Sequence, residues 1–262
     1  MTRQPVLFLS HESPTMWDTP SPARQFIQSL GIRLPTPQAV LVVSAHWQER
    51  QFKLASSSAP ATIHDFGGFP DHYYDIRYPA PGHPEIAAEA HKLLMNQGIS
   101  TELDADRGMD HAVWLPVGLM YPKADIPIVS LSIKLRGREV DHLKVGEALA
   151  PLRDQGVLMI GSGTATHNLG AFFSGTPPQL DGEPDEKAVE FSRWLIDKAN
   201  DPQEILGYRK RAPHAATCHP TPDHFLPFIV AMGAGKGDEA TCIHDSFSYS
   251  HFAMTCMAWG MV

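Results

Sequence analysis

The chain has 262 residues, of which 43% are hydrophobic and 19% are charged, so it is able to bury a sizeable core and is not expected to be disordered. Its 29 acidic residues outnumber its 21 basic residues, and the net charge of −8 argues against a non-specific nucleic-acid binder and against a protein of anionic membrane surfaces. The 14 histidines exceed what packing needs and indicate where a site should be sought.

The remaining bulk features exclude several further classes of protein. No apolar run is long enough to span a bilayer, and the N-terminal apolar stretch is too short for a signal peptide, so we expect a cytoplasmic protein. The three cysteines, Cys218, Cys242 and Cys256, form no CxxC pair, so neither a disulfide framework nor a zinc ribbon is indicated. The sequence gives no indication of the oligomeric state.

Helical and strand patterns follow one another along the whole chain. In the first half of the chain we expect a strand over 6–10, a helix from Ser21-Pro22 to about Leu30, strands over 39–45 and 52–56, a helix over 84–97 and a helix that Asp110 caps. In the second half we expect strands over 126–133 and 157–160, with a helix over 140–152 between them. A Pro/Gly connector over 175–183, helices over 186–199 and 223–232, and a tail over 246–259 that returns to the sheet complete the prediction. This alternation predicts one α/β domain over 1–262, with a mostly parallel central sheet and helices on both faces.

Three of the predicted strands are short buried runs that lead into a histidine. The pairs of run and histidine are 6–10 with His11, 39–45 with His46, and 157–160 with His167. Because the carboxyl ends of parallel strands meet at one edge of a sheet, where open α/β sheets bind their ligands, we expect these imidazoles to converge.

Two further histidines have unusual contexts. His111 follows Asp110 at a predicted helix entry, and His224 lies in the predicted first turn of the last helix. Neutral imidazole suits zinc, copper, iron and nickel, and three protein ligands with open positions are typical of a catalytic metal site. Taken singly, each of these histidines is more often a packing or surface residue than a ligand. The sequence contains no HExxH, GxSxG or P-loop motif, and no GxGxxG follows the first strand.

The segment over 59–82 is too long and too aromatic for a simple connector. Loops of this kind often cover binding sites, so we expect Phe66, Phe69 or Tyr74 to border a pocket, with His64 lining it as well. The same composition also fits a packed Ω-loop whose aromatic side chains form a small cluster of their own, and the two interpretations are compatible.

Eight stretches, in the right order and spread over nearly the whole chain, match a known family. They are LFLSHESPT at 7–15, PQAVLVVSAHW at 37–47, TIHDFGGFP at 62–70, YPAPG at 78–82, DHAVWLPV at 110–117, ADIPIVSLSI at 124–133, SGTATHNLG at 162–170 and PTPDHFLP at 220–227. On these stretches the sequence resembles the class III extradiol ring-cleavage dioxygenases, in the branch of the DOPA 4,5-dioxygenases. The resemblance implies a single catalytic domain with a metal site at the carboxyl ends of the strands.

The resemblance also implies a role for each candidate residue. His11, His46 and His224 match the ligands of one divalent metal ion, with Fe(II) expected for ring cleavage and Zn(II) as another species that three imidazoles would hold. In protocatechuate-cleaving relatives a glutamate replaces the residue that matches His224. His167 matches the presumed acid/base, and His111 matches a pocket histidine thought to bind substrate or oxygen. The expected partners are a small catechol, such as DOPA, and dioxygen, with no nucleic acid and no membrane.

Two other functions use the same histidines. A zinc hydrolase would employ three imidazoles and an activated water, and a non-catalytic member of the fold would bind only a metal or a partner. Retention of His111 and His167 argues against the second alternative, because a simple binding module needs no acid/base beside its metal.

Overall fold

The computed structural model describes residues 2–174 and 179–261, and β-strands occur throughout this part of the chain. The strands are β1 Val6–Ser10, β2 Ala39–Glu49, β3 Phe52–Ala55, β4 Thr101–Asp104, β5 Ile128–Lys134, β6 Val157–Gly163, β7 Ala240–His244, β8 Phe247–Ser248, β9 Phe252–Ala253 and β10 Cys256–Trp259. All but β8 and β9 form one sheet in the order β4-β3-β5-β2-β6-β1-β10-β7, while β8 and β9 pair with each other.

Helices connect most of these strands. They are α1 Pro22–Arg33, α2 Pro84–Asn96, α3 His111–Met120, α4 Glu139–Leu149, α5 Leu169–Phe172, α6 Glu186–Lys198, α7 Pro202–Leu206, α8 Tyr208–Arg211, α9 Ala215–Cys218 and α10 Leu226–Ala234, with 3-10 helices over Pro14–Trp17, Asp71–Asp75 and Ala150–Gln155. Within the described ranges, no helix combines the length and the apolar character that a membrane crossing requires.

The sheet separates two hydrophobic cores, as a sheet buried on both faces requires. The central strands β5, β2, β6 and β1 run parallel, whereas β10 pairs antiparallel with β1. Side chains alternate along β1, so that Phe8 belongs to the core with α10 and Leu7 belongs to the core with α1 and α3. The single-domain, mostly parallel α/β architecture with helices on both faces is thereby confirmed.

Strand β2 differs from its prediction in a way that matters for the site. It does not end at Ala45 but continues to Glu49, and its register against β5 shifts between Ser44 and Gln48. The intervening residues form a bulge, which bends a strand and redirects its side chains. His46 therefore projects from a bulge within the strand and not from the loop that follows a strand.

The last long helix, α10, begins at Leu226 and not at Asp223, so His224 precedes the helix and does not lie in its first turn. Pro227 explains the start, because proline is favoured in the first helical turn. The carbonyl of His224 accepts a hydrogen bond from the Thr164 backbone N–H (3.2 Å), and a Cβ at Gly163 would lie only 2.1 Å from that carbonyl oxygen. The glycine therefore permits the close approach that places His224 against the end of β6.

Several other boundaries were predicted less well. The helix predicted over 140–152 ends at Leu149 and continues as a 3-10 helix, and the sequence patterns missed β4, β7 and the short helices α5 and α7–α9. The tail does return to the sheet, through β10. Residues 175–178 of the predicted connector lie outside the described residues.

Candidate active site

His11 and His46 approach each other at the carboxyl edge of the parallel strands. Their Nε2 atoms are 3.3 Å apart, and a hydrogen bond at Nδ1 holds each imidazole in place. Nδ1 of His11 lies 3.0 Å from the Ser162 hydroxyl, and Nδ1 of His46 lies 2.9 Å from a carboxylate oxygen of Asp65. These contacts occupy both Nδ1 atoms and leave the two neighbouring Nε2 atoms to bind a shared ion.

Asp65 connects three parts of the site through one carboxylate. Oδ2 contacts His46, while Oδ1 lies 2.9 Å from Nδ1 of His111 and accepts the backbone N–H of the same residue (2.9 Å). That N–H belongs to the first turn of α3, so Asp65 provides the cap hydrogen bond at this helix terminus. The imidazoles of His46 and His111 are consequently close, with ring centroids 4.1 Å apart.

Asp110 was predicted to cap α3, and it occupies the N-cap position without making a side-chain hydrogen bond to the helix. Its carboxylate instead accepts hydrogen bonds from the Ser44 hydroxyl (2.7 Å) and from the Arg107 guanidinium (2.6 Å). Ser44 in turn accepts the backbone N–H of His46 (3.1 Å). Asp110 thus joins the bulge of β2 to the start of α3.

His224 and His167 form the other side of the site. Their rings stack with centroids 3.5 Å apart and an interplanar angle of 6°, and Nδ1 of His224 is 2.6 Å from a carboxylate oxygen of Asp223. The ring of His224 lies 5.0 Å from that of His46 and 5.5 Å from that of His11, measured between centroids. All five histidines singled out from the sequence therefore meet in one place.

Burial sets the charge state of this group. It lowers the pKa of His11 and of His224 well below the usual value, and repulsion between neighbouring imidazoles adds to the effect. Burial would also lower the pKa of His46, but the hydrogen bond to Asp65 and the negative charges of Asp110, Asp65 and Asp223 outweigh it and raise that pKa. Burial would raise the pKa of Asp65, but hydrogen bonds from the imidazoles of His111 and His46 outweigh this effect and hold the pKa far below the ordinary range. The site is thus a set of mostly neutral imidazoles beside an ionised carboxylate.

The donor set fits a divalent metal ion. Two nitrogens bound at about 2.1 Å to a tetrahedral ion are separated by about 3.4 Å, close to the 3.3 Å observed between His11 and His46. Metal-binding histidines usually use one ring nitrogen for the ion and the other for a hydrogen bond, and His11, His46, His111 and His224 all have the second contact. Potential ligand atoms group as His11, His46 and His111, and as His167, Asp223 and His224.

A cavity of about 540 Å³ opens over the imidazoles. Apolar and aromatic side chains from four segments line the cavity beside the histidines, namely Pro14, Phe66, Phe69, Leu169, Phe172, Phe173, Tyr249 and Phe252. Cavities of this size hold substituted aromatic molecules, and the apolar wall excludes water from the polar end.

The aromatic loop contributes only part of the lining expected of it. Phe66 and Phe69 line the cavity, but His64 and Tyr74 do not. His64 packs behind Phe66, against Trp114, and its Nε2 lies 3.0 Å from the Ile76 carbonyl oxygen. The loop therefore combines the two expected arrangements, because it borders the pocket and also forms an aromatic cluster of its own.

Sequence reasoning did not single out the carboxylates that hold the histidines. Asp65 lies within the matched stretch 62–70, and Asp223 directly precedes His224, so both were visible as acids beside candidate residues. Glu12 was also missed. It lines the cavity, and burial raises its pKa to about 7 against the opposing effect of a hydrogen bond from Ser248.

Comparison with known proteins identifies the family. The model of the family described as the catalytic LigB subunit of aromatic ring-opening dioxygenase matches residues 4–259. The chain belongs to this family. A 4,5-DOPA dioxygenase extradiol of Beta vulgaris is 41% identical over 262 residues, covering 95% of this chain and 96% of the relative. A 4,5-DOPA dioxygenase extradiol of Escherichia coli K12 is 38% identical over an alignment that covers 92% of this chain and 89% of the relative.

A solved structure agrees with the sequence relatives. The crystal structure of an uncharacterized protein from Escherichia coli K12 superposes with a TM-score of 0.81 at 30% identity, covering 98% of this chain and all of the other. This protein is therefore an extradiol ring-opening dioxygenase of class III, in the DOPA dioxygenase-like branch. The family implies a catecholic substrate and dioxygen, and together with the His11, His46 and His111 group it indicates one metal site.

The dioxygenase should lose stability in acid when its metal is removed. Burial lowers the pKa of His167 to about 4 and that of His219 to about 3, whereas an unfolded imidazole titrates near 6.5. Below about pH 6.5 the unfolded state therefore binds more protons than the folded state, so the free energy of unfolding decreases as the pH is lowered. At pH 5 we expect a loss of about 2 kcal/mol from each of these two residues, measured by urea unfolding of chelator-treated protein at pH 7 and pH 5.

The variant His219→Gln should reduce this acid loss by about 2 kcal/mol, since it removes one of the two groups. The variant His72→Gln removes an exposed imidazole and serves as the control. Equal or greater stability of the metal-free wild type at pH 5 would contradict the burial of neutral imidazoles.

Proposed function

We propose that the protein cleaves the ring of a small catechol, DOPA-like or otherwise substituted, beside its two hydroxyls and inserts both atoms of dioxygen. The working metal is Fe(II), held by His11, His46 and His224. The observation that supports this proposal is the convergence of mostly neutral imidazoles, each fixed through its other ring nitrogen, at the polar end of an aromatic cavity. A cytoplasmic location is part of the proposal.

Two imidazoles, those of His111 and His224, flank the His11–His46 pair and are candidates for the third ligand. His111 shares the carboxylate of Asp65 with His46, so these two imidazoles compete for the charge of one partner. His224 has a carboxylate of its own, Asp223, at 2.6 Å. A separate carboxylate partner raises the basicity of a ligating imidazole and fixes its orientation. Together with the match to the family motif, this supports His224 as the ligand and leaves His111 to contact the bound molecule.

The remaining residues then act on the substrate. A bound Fe(II) would acidify the catechol hydroxyls and pass electrons from the catechol to dioxygen. His167 is neutral at pH 7, because burial lowers its pKa to about 4, and it is free to accept a proton from a catechol hydroxyl. The negative charge of a bound catecholate would raise that pKa and improve the acceptor. Phe66 and Phe172 enclose the ring and keep water from the reacting atoms.

A zinc-dependent hydrolase is the alternative that the same imidazoles support, since zinc binds three histidines and activates water. The two functions differ in their need for dioxygen. Metal-free protein is loaded with Fe(II) without air, 4-methylcatechol is added, and air-saturated buffer follows. We expect one dioxygen consumed per catechol and a coloured ring-opened product, with no oxygen uptake by zinc-loaded protein. Ester hydrolysis by the zinc form, with no uptake by the iron form, would favour the hydrolase and overturn the proposal.

Replacement of His167 should separate proton transfer from metal binding. In His167→Ala we expect turnover to fall by about 10²–10⁴, the usual contribution of a general base, while metal content stays at the wild-type level. Added imidazole should restore part of the activity, because it would occupy the space of the missing ring. His214→Ala, which removes an exposed imidazole, is the matched control.

Both quantities are measured on the same sample. Unchanged turnover in His167→Ala would refute the role as base, and a parallel loss of metal would make His167 a ligand.

A further inference from the structure

Glu12 places a carboxylate in the wall of the active-site cavity. It follows His11 directly and is only 7% exposed, yet it lines the cavity. Its Oε1 accepts a hydrogen bond from the hydroxyl of Ser248 (2.8 Å). Among the described residues, Oε2 has no hydrogen-bond partner, and it is not one of the atoms sealed from solvent. The second carboxylate oxygen is therefore available to a bound molecule.

Among the residues that the structure describes, the cavity offers this carboxylate no positive partner. Within the described part of the chain, no lysine or arginine lines the cavity, and its ion pairs join His46 and His111 to Asp65 and His224 to Asp223. Buried carboxylates are rare unless they are paired with a cation, because removing the charge from water costs free energy. A catechol with a carboxylate on its side chain would meet a group of like charge at Glu12, whereas a catechol with an amine would supply the missing cation.

We propose that Glu12 binds the ammonium group of a substituted catechol, so that the preferred substrate class is a catechol with a cationic alkylamine side chain and no compensating carboxylate. This inference rests on the proposed ring-cleaving function, since the metal site holds the two hydroxyls while Glu12 recognises the substituent. Ser248 fixes one carboxylate oxygen and leaves the other to accept the ammonium N–H bonds.

The cavity wall near Glu12 suits the remainder of such a side chain. Tyr249 directly follows Ser248, and Phe252 lies across the same β8–β9 hairpin, and both line the cavity. Their apolar surfaces would pack against the methylene groups that join the ring to the amine. Aromatic faces also attract ammonium ions and do not attract carboxylates.

Three catechols of similar size test the proposal: 4-(2-aminoethyl)catechol, neutral 4-ethylcatechol and (3,4-dihydroxyphenyl)acetate. Dissociation constants are measured by calorimetry without air on metal-loaded protein, and kcat/KM is measured with air. For the wild type we expect the amine to bind at least about tenfold more tightly than the acid and to have a kcat/KM at least about tenfold higher, the scale of one charge-assisted hydrogen bond. Expressed as association constants or as kcat/KM, the amine-to-acid ratio measures this preference. In Glu12→Gln this amine-to-acid ratio should fall by about tenfold or more, and in Ser248→Ala it should fall less.

The ratio between two ligands cancels any general loss of activity in the variants. Glu85→Gln, which removes an exposed carboxylate on α2 outside the cavity, controls for the change in net charge and should keep the wild-type ratio. A wild-type ratio near one, or a ratio that Glu12→Gln leaves unchanged, would overturn the role of Glu12.

The binding measurement keeps this inference separate from the proposed function. If none of the three catechols were cleaved, ring cleavage would fail, while the ratio of dissociation constants would still decide whether Glu12 selects the amine. If neutral 4-ethylcatechol were cleaved and the amine and acid bound equally, ring cleavage would stand and the substrate class would be wrong.

Discussion

The carboxylate of Asp65 is the contact on which the site most depends. It reaches the imidazoles of His46 and His111 from a long irregular loop and also accepts the first backbone N–H of α3. One ionised group therefore fixes a side chain of the bulged strand, a side chain of the following helix and the path of the loop. Removing it would leave these two imidazoles without an orienting partner, and the loss of such a contact typically costs about 10–100-fold in metal affinity or activity.

The fold assembles the site by bringing backbones unusually close. Gly161 and Gly163 of β6 face the carbonyls of Pro227 and His224, where a Cβ would lie 2.2 Å and 2.1 Å away. These glycines let the first turn of α10 and the segment before it pack against β6, which places His224 beside the strand-end histidines. The cost of the arrangement is the burial of several neutral imidazoles, which a bound cation would offset.

The sequence predicted the parts of the fold that periodicity governs. The buried strands and the convergence of His11, His46 and His167 followed from the rule that parallel strands present their carboxyl ends at one edge. The bulge in β2 did not follow, because a change of register depends on pairing with β5 and leaves no local pattern. His64 was expected in the pocket for a similar reason: an irregular loop has no period that assigns its side chains to one face or the other.

The carboxylates were the main omission, and the reason is physical. A histidine after an apolar strand has a predictable position, whereas Asp65 acquires its role only when residues distant in sequence fold against it. Glu12 is similar, since its partner Ser248 lies near the opposite end of the chain. The site therefore consists of a group predictable from strand ends and a surrounding set of acids that only tertiary structure reveals.

Anomalous scattering from crystals of Fe(II)-loaded protein grown without air tests the ligand assignment most directly. This ligand set predicts one iron peak per chain, bonded to Nε2 of His11, His46 and His224, with His111 and His167 beside the ion but not bonded to it. A peak bonded to His111 in place of His224, or one held by His167, Asp223 and His224 away from His11, would contradict it.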